Sequence, residues 1–165
     1  MIKTAKAFAV ATTTLAAMPL TSAGAQSLPT APYLPLTMAQ TAADAALEQC
    51  AADGYQVAVA IVDRSGNLKL MIKADGTGPH IIGGSIGKAF TSASIGAPTT
   101  FFAEMIVNDA TLAGLRDTDP RMVILGGGLP IVIDDAHIGG IGVAGAPGTQ
   151  FDENCAKAGL EAIGG

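Results

Sequence analysis

The stretch that decides the fold is VAVAIVDRSGNLKLMI, residues 57–72. Its first part, 57–62, is a continuous run of β-branched residues and alanine, a pattern typical of a buried strand. Residues 63–67 contain the Asp, Ser, Gly and Asn of a turn, and 68–72 form a second apolar run. The pattern predicts a strand, a turn and a second strand.

Helices are predicted on both sides of this hairpin. Thr37 and Gln40 have the T-x-x-Q spacing of a capping box, and Gly54 is a suitable stop, so we expect a helix over 37–53. Residues 80–94 carry small side chains every four positions and predict a second helix that another element approaches closely. The buried face of the first helix is predicted from helical spacing as Ala39, Ala43, Ala46, Leu47 and Cys50.

The second half of the chain predicts more strands. A short helix is expected around 101–107 and a last helix from Thr149, with Phe151, Cys155, Ala158 and Ala162 on its apolar face. Because the strands come as hairpins and do not alternate with helices, we predict an α+β domain with a five-stranded antiparallel sheet flanked by helices. The three strands expected between these helices are Met122–Leu125, Leu129–Ile133 and Ile138–Ala144.

Composition narrows the class of protein. Of 165 residues, 49% are hydrophobic and 14% are charged, which suits one compact domain. The 9 Lys and Arg against 14 Asp and Glu leave no basic surface for phosphates, so nucleic acid is not an expected partner. The aromatic content of 4% also argues against a base-stacking platform.

The N-terminal segment has the features of a signal peptide. Lys3 and Lys6 precede an apolar run at 7–20, and an A-x-A cleavage site ends at Ala25, so residues 1–25 predict export to the periplasm or secretion. The run is too short to span a bilayer, and no membrane partner is expected. Removing the two lysines changes the formal charge from −5 to −7. We expect a Pro-rich arm at 26–35 and a single domain at 36–165.

The two cysteines permit a disulfide. Cys50 and Cys155 lie on the apolar faces of the first and last helices, 105 positions apart. In an oxidising compartment they can form a bridge if these helices pack side by side. The alternative is a pair of buried free thiols that act as small hydrophobic groups.

Several motifs that suggest chemistry fail on inspection. The segment 83–89 resembles a phosphate loop, but Ala89 replaces the required Ser or Thr. The G-x-G-x-x-G at 140–145 overlaps a predicted strand, and Pro147 follows where a helix should open. Two lone histidines and two separated cysteines do not compose a zinc site.

A set of segments in a fixed order carries a family resemblance. They are VAIVDRSGNL at 59–68, DG at 75–76, IGKAFTSA at 86–93, APT at 97–99, GGGLPI at 126–131 and IGGIGVAG at 138–145. The set resembles the GlcG/HbpS family, which includes the haem-binding HbpS and the C-terminal domain of PduO, and the resemblance runs from about Leu36 to Ile163. It implies a profilin-like fold and homo-oligomers of up to eight subunits. Some members bind haem, so haem or another tetrapyrrole is the ligand expected here, while other members lie beside glycolate or corrinoid metabolism genes and have no settled chemistry.

Two departures limit what the resemblance transfers. Ala74 stands where the family commonly has Met before Asp-Gly, and Ala144 stands where it often has Ser before the last Gly of the final strand. Members also do not share one axial haem ligand, so no ligand is carried over by rule.

His80 is the better of the two histidine candidates for haem iron. It follows a loop, 76–79, that can leave room for a flat ligand, and it precedes apolar Ile81 and Ile82. A neutral imidazole can ligate haem iron, and haem needs an apolar slot. The alternative is a histidine near a helix N-terminus without any ligand. His137, beside two aspartates, is expected to be an exposed turn residue.

Asp75, Lys88 and Thr91 are further candidates for binding the cofactor. Their plain alternatives are loop solvation for Asp75, a surface charge for Lys88 and helix packing for Thr91. The resulting expectation is an exported haem-binding protein involved in haem or iron handling or sensing. The alternatives are an enzyme acting on a small organic acid or aldehyde near Asp75 and Lys88, and a purely structural oligomer.

Overall fold

The computed structural model describes residues 27–165, and the signal peptide predicted for 1–25 lies outside them. Eight main elements follow one another, with a 3-10 helix at Ala110–Asp117 between the third helix and the third strand. In chain order they are α1 Leu36–Ala52, β1 Ala58–Asp63, β2 Leu68–Lys73, α2 His80–Ile95, α3 Thr99–Asn108, β3 Gly128–Ile133, β4 Ala136–Ala144 and α4 Thr149–Glu161.

The sheet is antiparallel and has four strands in the order β2-β1-β4-β3. The prediction of helices flanking an antiparallel sheet is confirmed, but the fifth strand, expected at Met122–Leu125, is wrong. The N–H of Val123 donates to Thr91 Oγ1 of α2 at 2.8 Å, and the N–H of Met122 donates to the carbonyl of Asp119 at 3.0 Å. This segment therefore finds its hydrogen-bond partners in a helix and a turn, not in a neighbouring strand.

The sheet is covered by helices on both faces. Val57, Val59 and Ile61 lie in one core cluster with the alanines of α1 and with Cys155 and Ala156 of α4. Ala60 and Val62 point the other way and pack with Ala89 and Ala93 of α2. The continuous apolar run at 57–62 reflects this double burial, with α1 and α4 on one face and α2 on the other.

Two glycines of β4 let α2 lie directly on the sheet. Gly140 and Gly142 pair with Val62 and Ala60 and share their face. A Cβ at Gly140 would lie 2.5 Å from the carbonyl oxygen of Ala89, and one at Gly142 would collide with the α2 backbone. The G-x-G-x-x-G motif at 140–145 thus serves close packing between a helix and a strand.

Helix α1 begins one residue earlier than predicted. Pro35 is its N-cap residue, and the Pro35 carbonyl already accepts the N–H of Ala39 at 3.1 Å. Thr37 therefore lies inside the first turn and makes no capping hydrogen bond, so the capping-box prediction is wrong. The stop at Gly54, with a φ of 84°, and the predicted buried face are confirmed.

The last residues of the Pro-rich arm belong to the folded domain. Leu34 is 1% exposed and lies in the core cluster between α1 and the sheet. A Cβ on Gly139 of β4 would lie 3.2 Å from Leu34 Cδ2, so the arm packs tightly against that strand. The core thus begins before residue 36, where the domain was expected to start.

Helices α1 and α4 are joined covalently. Cys50 and Cys155 form a disulfide with a Cα–Cα distance of 5.5 Å, and neither residue is exposed. The chain therefore contains the bridged pair and not two free thiols. The buried face of α4 is shifted from the predicted one: Cys155 is buried as expected, but Phe151 and Ala158 are half-buried, and Ala162 is exposed after the helix ends. Its buried residues are Asp152, Cys155, Ala156 and Gly159.

The two edges of the sheet differ. Strand β2 forms one edge and contains no proline, whereas β3 forms the other edge and carries Pro130 opposite Gly140. Proline cannot donate a backbone hydrogen bond and is confined to edge strands or bulges.

Candidate functional site

An open cleft of about 410 Å³ lies beside the loop that connects β2 to α2. One wall comes from the last turn of α1 and the residues after it, and the other comes from the start of the loop. We call it the α1 cleft. Its lining residues are Leu47, Ala51, Gly54, Tyr55, Gln56, Ala74 and Asp75.

The chain reversal after α1 forms the first wall. The positive φ of Gly54 ends the helix, and the N–H of Tyr55 then donates to the carbonyl of Cys50 at 2.8 Å. The Tyr55 ring contacts the ring of Phe151 on α4, with 5.2 Å between centroids. The wall is therefore tied to α4 as well as to α1.

The β2–α2 loop forms the opposite rim. Asp75 is exposed and lines the cleft, and it lies in a loop as the sequence predicted. Gly76 has a φ of 79°, and a Cβ there would lie 2.7 Å from Gln56 Oε1. The positive φ favours glycine at this position, and the loop lies close to the end of the Gln56 side chain.

His80 is the first residue of α2 and is exposed. Its ring folds back over Gly78, where a Cβ would lie 2.8 Å from His80 Cε1. Within residues 27–165 no hydrogen bond to the imidazole is found, so its nitrogens are available to a ligand. His80 does not itself line the α1 cleft; it lies at the start of α2, five positions after the lining residue Asp75.

Lys73 holds the loop and was not singled out in the sequence. Its Nζ donates to both the carbonyl and the Oγ1 of Thr77, at 3.1 Å each, and Thr77 Oγ1 donates to the Ala74 carbonyl at 2.7 Å. The available signal was a lysine at the end of a strand, four residues before a loop threonine. The contact places one exposed ammonium group beside the cleft rim.

Lys88 lies inside the protein. Its Nζ donates to Asp152 Oδ2 at 2.7 Å and to the carbonyl of Val143 at 2.9 Å, and both charged side chains are at most 5% exposed. The alternative of a surface charge is therefore wrong. Lys88 does not line the α1 cleft, so the structure does not bring it together with Asp75.

Asp152 is the partner that sequence reasoning missed. It lies three residues before Cys155 on the buried face of α4, and that spacing was the available signal. Burial raises the pKa of its carboxyl, while the hydrogen bond and charge of Lys88 and the N–H of Ala146 at 3.0 Å oppose this rise. Gly127, with a φ of 110°, leaves space for the pair, since a Cβ there would lie 3.1 Å from Lys88 Nζ.

Thr91 is also fully buried. Its Oγ1 donates to the carbonyl of Gly87 and accepts the N–H of Val123, both at 2.8 Å. These contacts join α2 to the segment that precedes β3, which is the arrangement described by the helix-packing alternative.

His137 belongs to β4, which corrects its expected place in an exposed turn. The turn consists of Asp134 and Asp135, which have positive φ angles of 48° and 62°. The half-buried His137 ring donates from Nε2 to the carbonyl of Gly139 at 2.9 Å. Burial lowers its pKa below the ordinary value; Arg64 adds to this effect, and the hydrogen bond to Gly139 opposes it.

Residues 27–165 contain no group of three or more His, Cys, Asp or Glu side chains that could hold a metal ion. The same range contains no helix with the length and apolar character needed to cross a membrane.

The fold and the cleft together define a class: a three-layer α+β domain with an open cleft beside the loop that leads to a histidine at the start of α2. Residues 34–161 match the family model described as "Haem degrading protein HbpS-like". The chain belongs to this HbpS-like family, as the ordered segments of the sequence indicated.

Relatives and solved structures agree with this assignment. A double mutant of Streptomyces reticuli HbpS is 39% identical, with a TM-score of 0.79 over 91% of this chain and 99% of that chain. Protein GlcG of Escherichia coli is 32% identical over 107 residues, which are 65% of this chain and 78% of GlcG.

Two other matches are more limited. An uncharacterized 15.0 kDa protein of Citrobacter freundii is 34% identical over 90 residues, 54% of this chain but only 63% of that protein. The PduOC:heme complex is 24% identical, with a TM-score of 0.74 over 80% of this chain and 96% of that chain, and shows a shared fold alone.

Proposed function

We propose that this protein binds haem in the α1 cleft, with the imidazole of His80 as a ligand to the iron. One observation carries the proposal: an exposed histidine without a hydrogen bond follows the loop that borders an open cleft. Its support from kinship is the description of the family as haem degrading.

The residues of the cleft suit the separate parts of a haem. Leu47, Ala51 and the Tyr55 ring offer an apolar wall to the macrocycle. The Lys73 ammonium at the rim offers a charge partner for a propionate, and Asp75 would face the solvated side of the ligand. Bound haem would supply redox-active iron, and the chain would supply orientation and a partly apolar environment.

Lys88 and Thr91 enter this proposal as residues that position α2. Lys88 ties the helix to β4 and α4, and Thr91 ties it to Val123. Because His80 is the first residue of the same helix, these buried contacts fix the position of the His80 backbone, from which the imidazole extends. We propose no direct contact of either side chain with haem.

The test is a hemin titration of the protein from residue 26 onward, followed by absorbance in the Soret region. Wild type is expected to show a saturable spectral change at micromolar hemin, and His80→Ala is expected to lose it. His137→Ala is the matched control, because its ring already donates to the Gly139 carbonyl. A wild-type protein without a saturable change would end the proposal of haem binding. Equal titrations of the two variants would exclude His80 as the ligand.

We also propose that the protein is exported, after cleavage behind Ala25, and works in haem or iron handling or sensing. The support is the A-x-A site and the short apolar run. N-terminal sequencing of protein from the periplasmic fraction or the medium should begin at Gln26. An unprocessed N-terminus would contradict export.

The family resemblance further supports a homo-oligomer of up to eight subunits. Phe101, Val107 and Leu125 expose large apolar side chains around α3, and Val107 is 81% exposed. We propose that this surface lies between subunits. Sedimentation velocity should give a species heavier than one chain, and Val107→Glu should shift the protein toward monomers.

A further inference from the structure

We propose that the Cys50–Cys155 disulfide positions the α1 wall of the cleft, so that ligand affinity depends on this bond. The inference rests on the proposed haem site and adds a covalent bond that controls the position of one of its walls. The bond would act through the wall residues, because neither cysteine lines the cleft.

Cys50 lies within the segment that forms the α1 wall. It lies in the last turn of α1, three residues after Leu47 and directly before Ala51, both of which line the cleft. Its carbonyl accepts the N–H of Tyr55, the residue at which the wall turns away from the helix. A shift of Cys50 therefore moves apolar surface and the tyrosine ring together.

Cys155 holds the other end of the bond, on α4. It lies one helical turn after Phe151, whose ring contacts that of Tyr55. The disulfide and the aromatic contact thus connect the same two segments, the end of α1 and the first half of α4. Together they hold the wall at two points about one helical turn apart on α4.

Small residues form most of the remaining contact between the two helices. The α1 face is formed by alanines, and α4 meets it with Ala156 and Gly159. A Cβ on Gly159 would lie 2.5 Å from the Ala42 carbonyl, so the backbones are close, but the apolar side-chain area per residue is small. Without the covalent bond, small side chains and the ring contact between Tyr55 and Phe151 hold the end of α1 on α4.

The experiment compares wild type with the double variant Cys50→Ala/Cys155→Ala, which extends the alanine face of α1. Ile131→Ala is the control, since Ile131 is a buried β3 residue outside the cleft and its truncation lowers global stability. Hemin affinity is expected to fall about tenfold in the double variant, which is the usual size of effect when a residue that orients the contacting residues is lost. In the control it is expected to stay near the wild-type value.

A second readout needs no ligand. Amide hydrogen exchange at Gly54 and Tyr55 should be about tenfold faster in the double variant than in Ile131→Ala, because local opening of the wall adds to global unfolding. Amides of β1 should reflect global stability alone in both variants. Rescue is tested with wild type reduced by dithiothreitol and then reoxidised, which should regain both properties.

The outcomes separate the two proposals. If wild type fails to bind hemin while Gly54 and Tyr55 exchange faster only in the double variant, the haem proposal falls and the positioning role stands. If the double variant matches Ile131→Ala in exchange at these amides, the positioning role is overturned, whatever the hemin titration shows.

Discussion

The ion pair between Lys88 and Asp152 is buried, so the protein interior cannot replace one partner by water. Removing one member of a buried pair leaves an uncompensated charge, which typically costs about 3–5 kcal/mol. Lys88→Met should therefore lower the free energy of unfolding by about that amount in urea titrations. Replacing both members, as Lys88→Met/Asp152→Leu, should restore much of the loss. A double variant no more stable than Lys88→Met would show that the buried charge is not the cause.

His137 makes stability depend on pH. Its pKa is lowered in the folded protein, so the unfolded chain binds more protons between that pKa and about 6.5. The contribution is complete above about pH 6.5 and is lost as the pH falls through the folded pKa. NMR of the imidazole should give a pKa below 6.5 for His137. His137→Gln should remove this part of the pH dependence, whereas His80→Gln should leave it in place.

At the scale of elements, the approach of α2 to β4 depends on Gly142. Gly142→Ala should destabilise the protein by about 1–3 kcal/mol or more, because a methyl group there meets the backbones of Ser85 and Ala89. Gly83→Ala is the matched control: Gly83 is an exposed residue of α2 whose Cβ would meet nothing within 4 Å. It should stabilise the helix by up to about 1 kcal/mol. Equal thermal midpoints for the two variants would contradict the packing argument.

Elements that are stabilised by contacts between residues close in sequence could be predicted. Elements that depend on contacts between residues far apart in sequence could not. The hairpin of β1 and β2 follows from an apolar run, a turn and a second run, all within 57–72. Residues 122–125 carry a similar apolar pattern, but the hydrogen bond from Val123 to Thr91 depends on a contact 32 positions away. The buried face of α4 was predicted one residue out of register, because an aspartate was not expected to face the core.

For the molecule as a whole, the disulfide closes a loop of 105 positions and should contribute to global stability. Loss of a native disulfide in a small domain typically costs about 2–5 kcal/mol. Cys50→Ala/Cys155→Ala should therefore unfold at lower denaturant concentration by that amount, measured with guanidinium chloride. A thiol titration of unreduced wild type should find no free thiol, because the two cysteines of the sequence form the bridge. Two free thiols would contradict the bridge.

Only one wall of the candidate site could be predicted from the sequence. The loop from Asp75 to His80 could be chosen from its composition and its one histidine. The opposite wall, Leu47 to Gln56, reads in the sequence as the end of an amphipathic helix and a turn. Only the packing of α1 against the sheet brings it beside the loop, so the cleft could not be derived from either segment alone.

The unequal edges of the sheet have a consequence for aggregation. A free strand edge is a template on which another chain can add a strand. Pro130 withholds one donor from β3, and so strand addition is disfavoured on that side. Strand β2 has no proline; its protection comes from Lys69 and Lys73 and from the irregular pairing with β1 at Lys69. Fibre growth or strand exchange, if induced by partial unfolding, would therefore proceed from one side of the domain, and high salt would accelerate it.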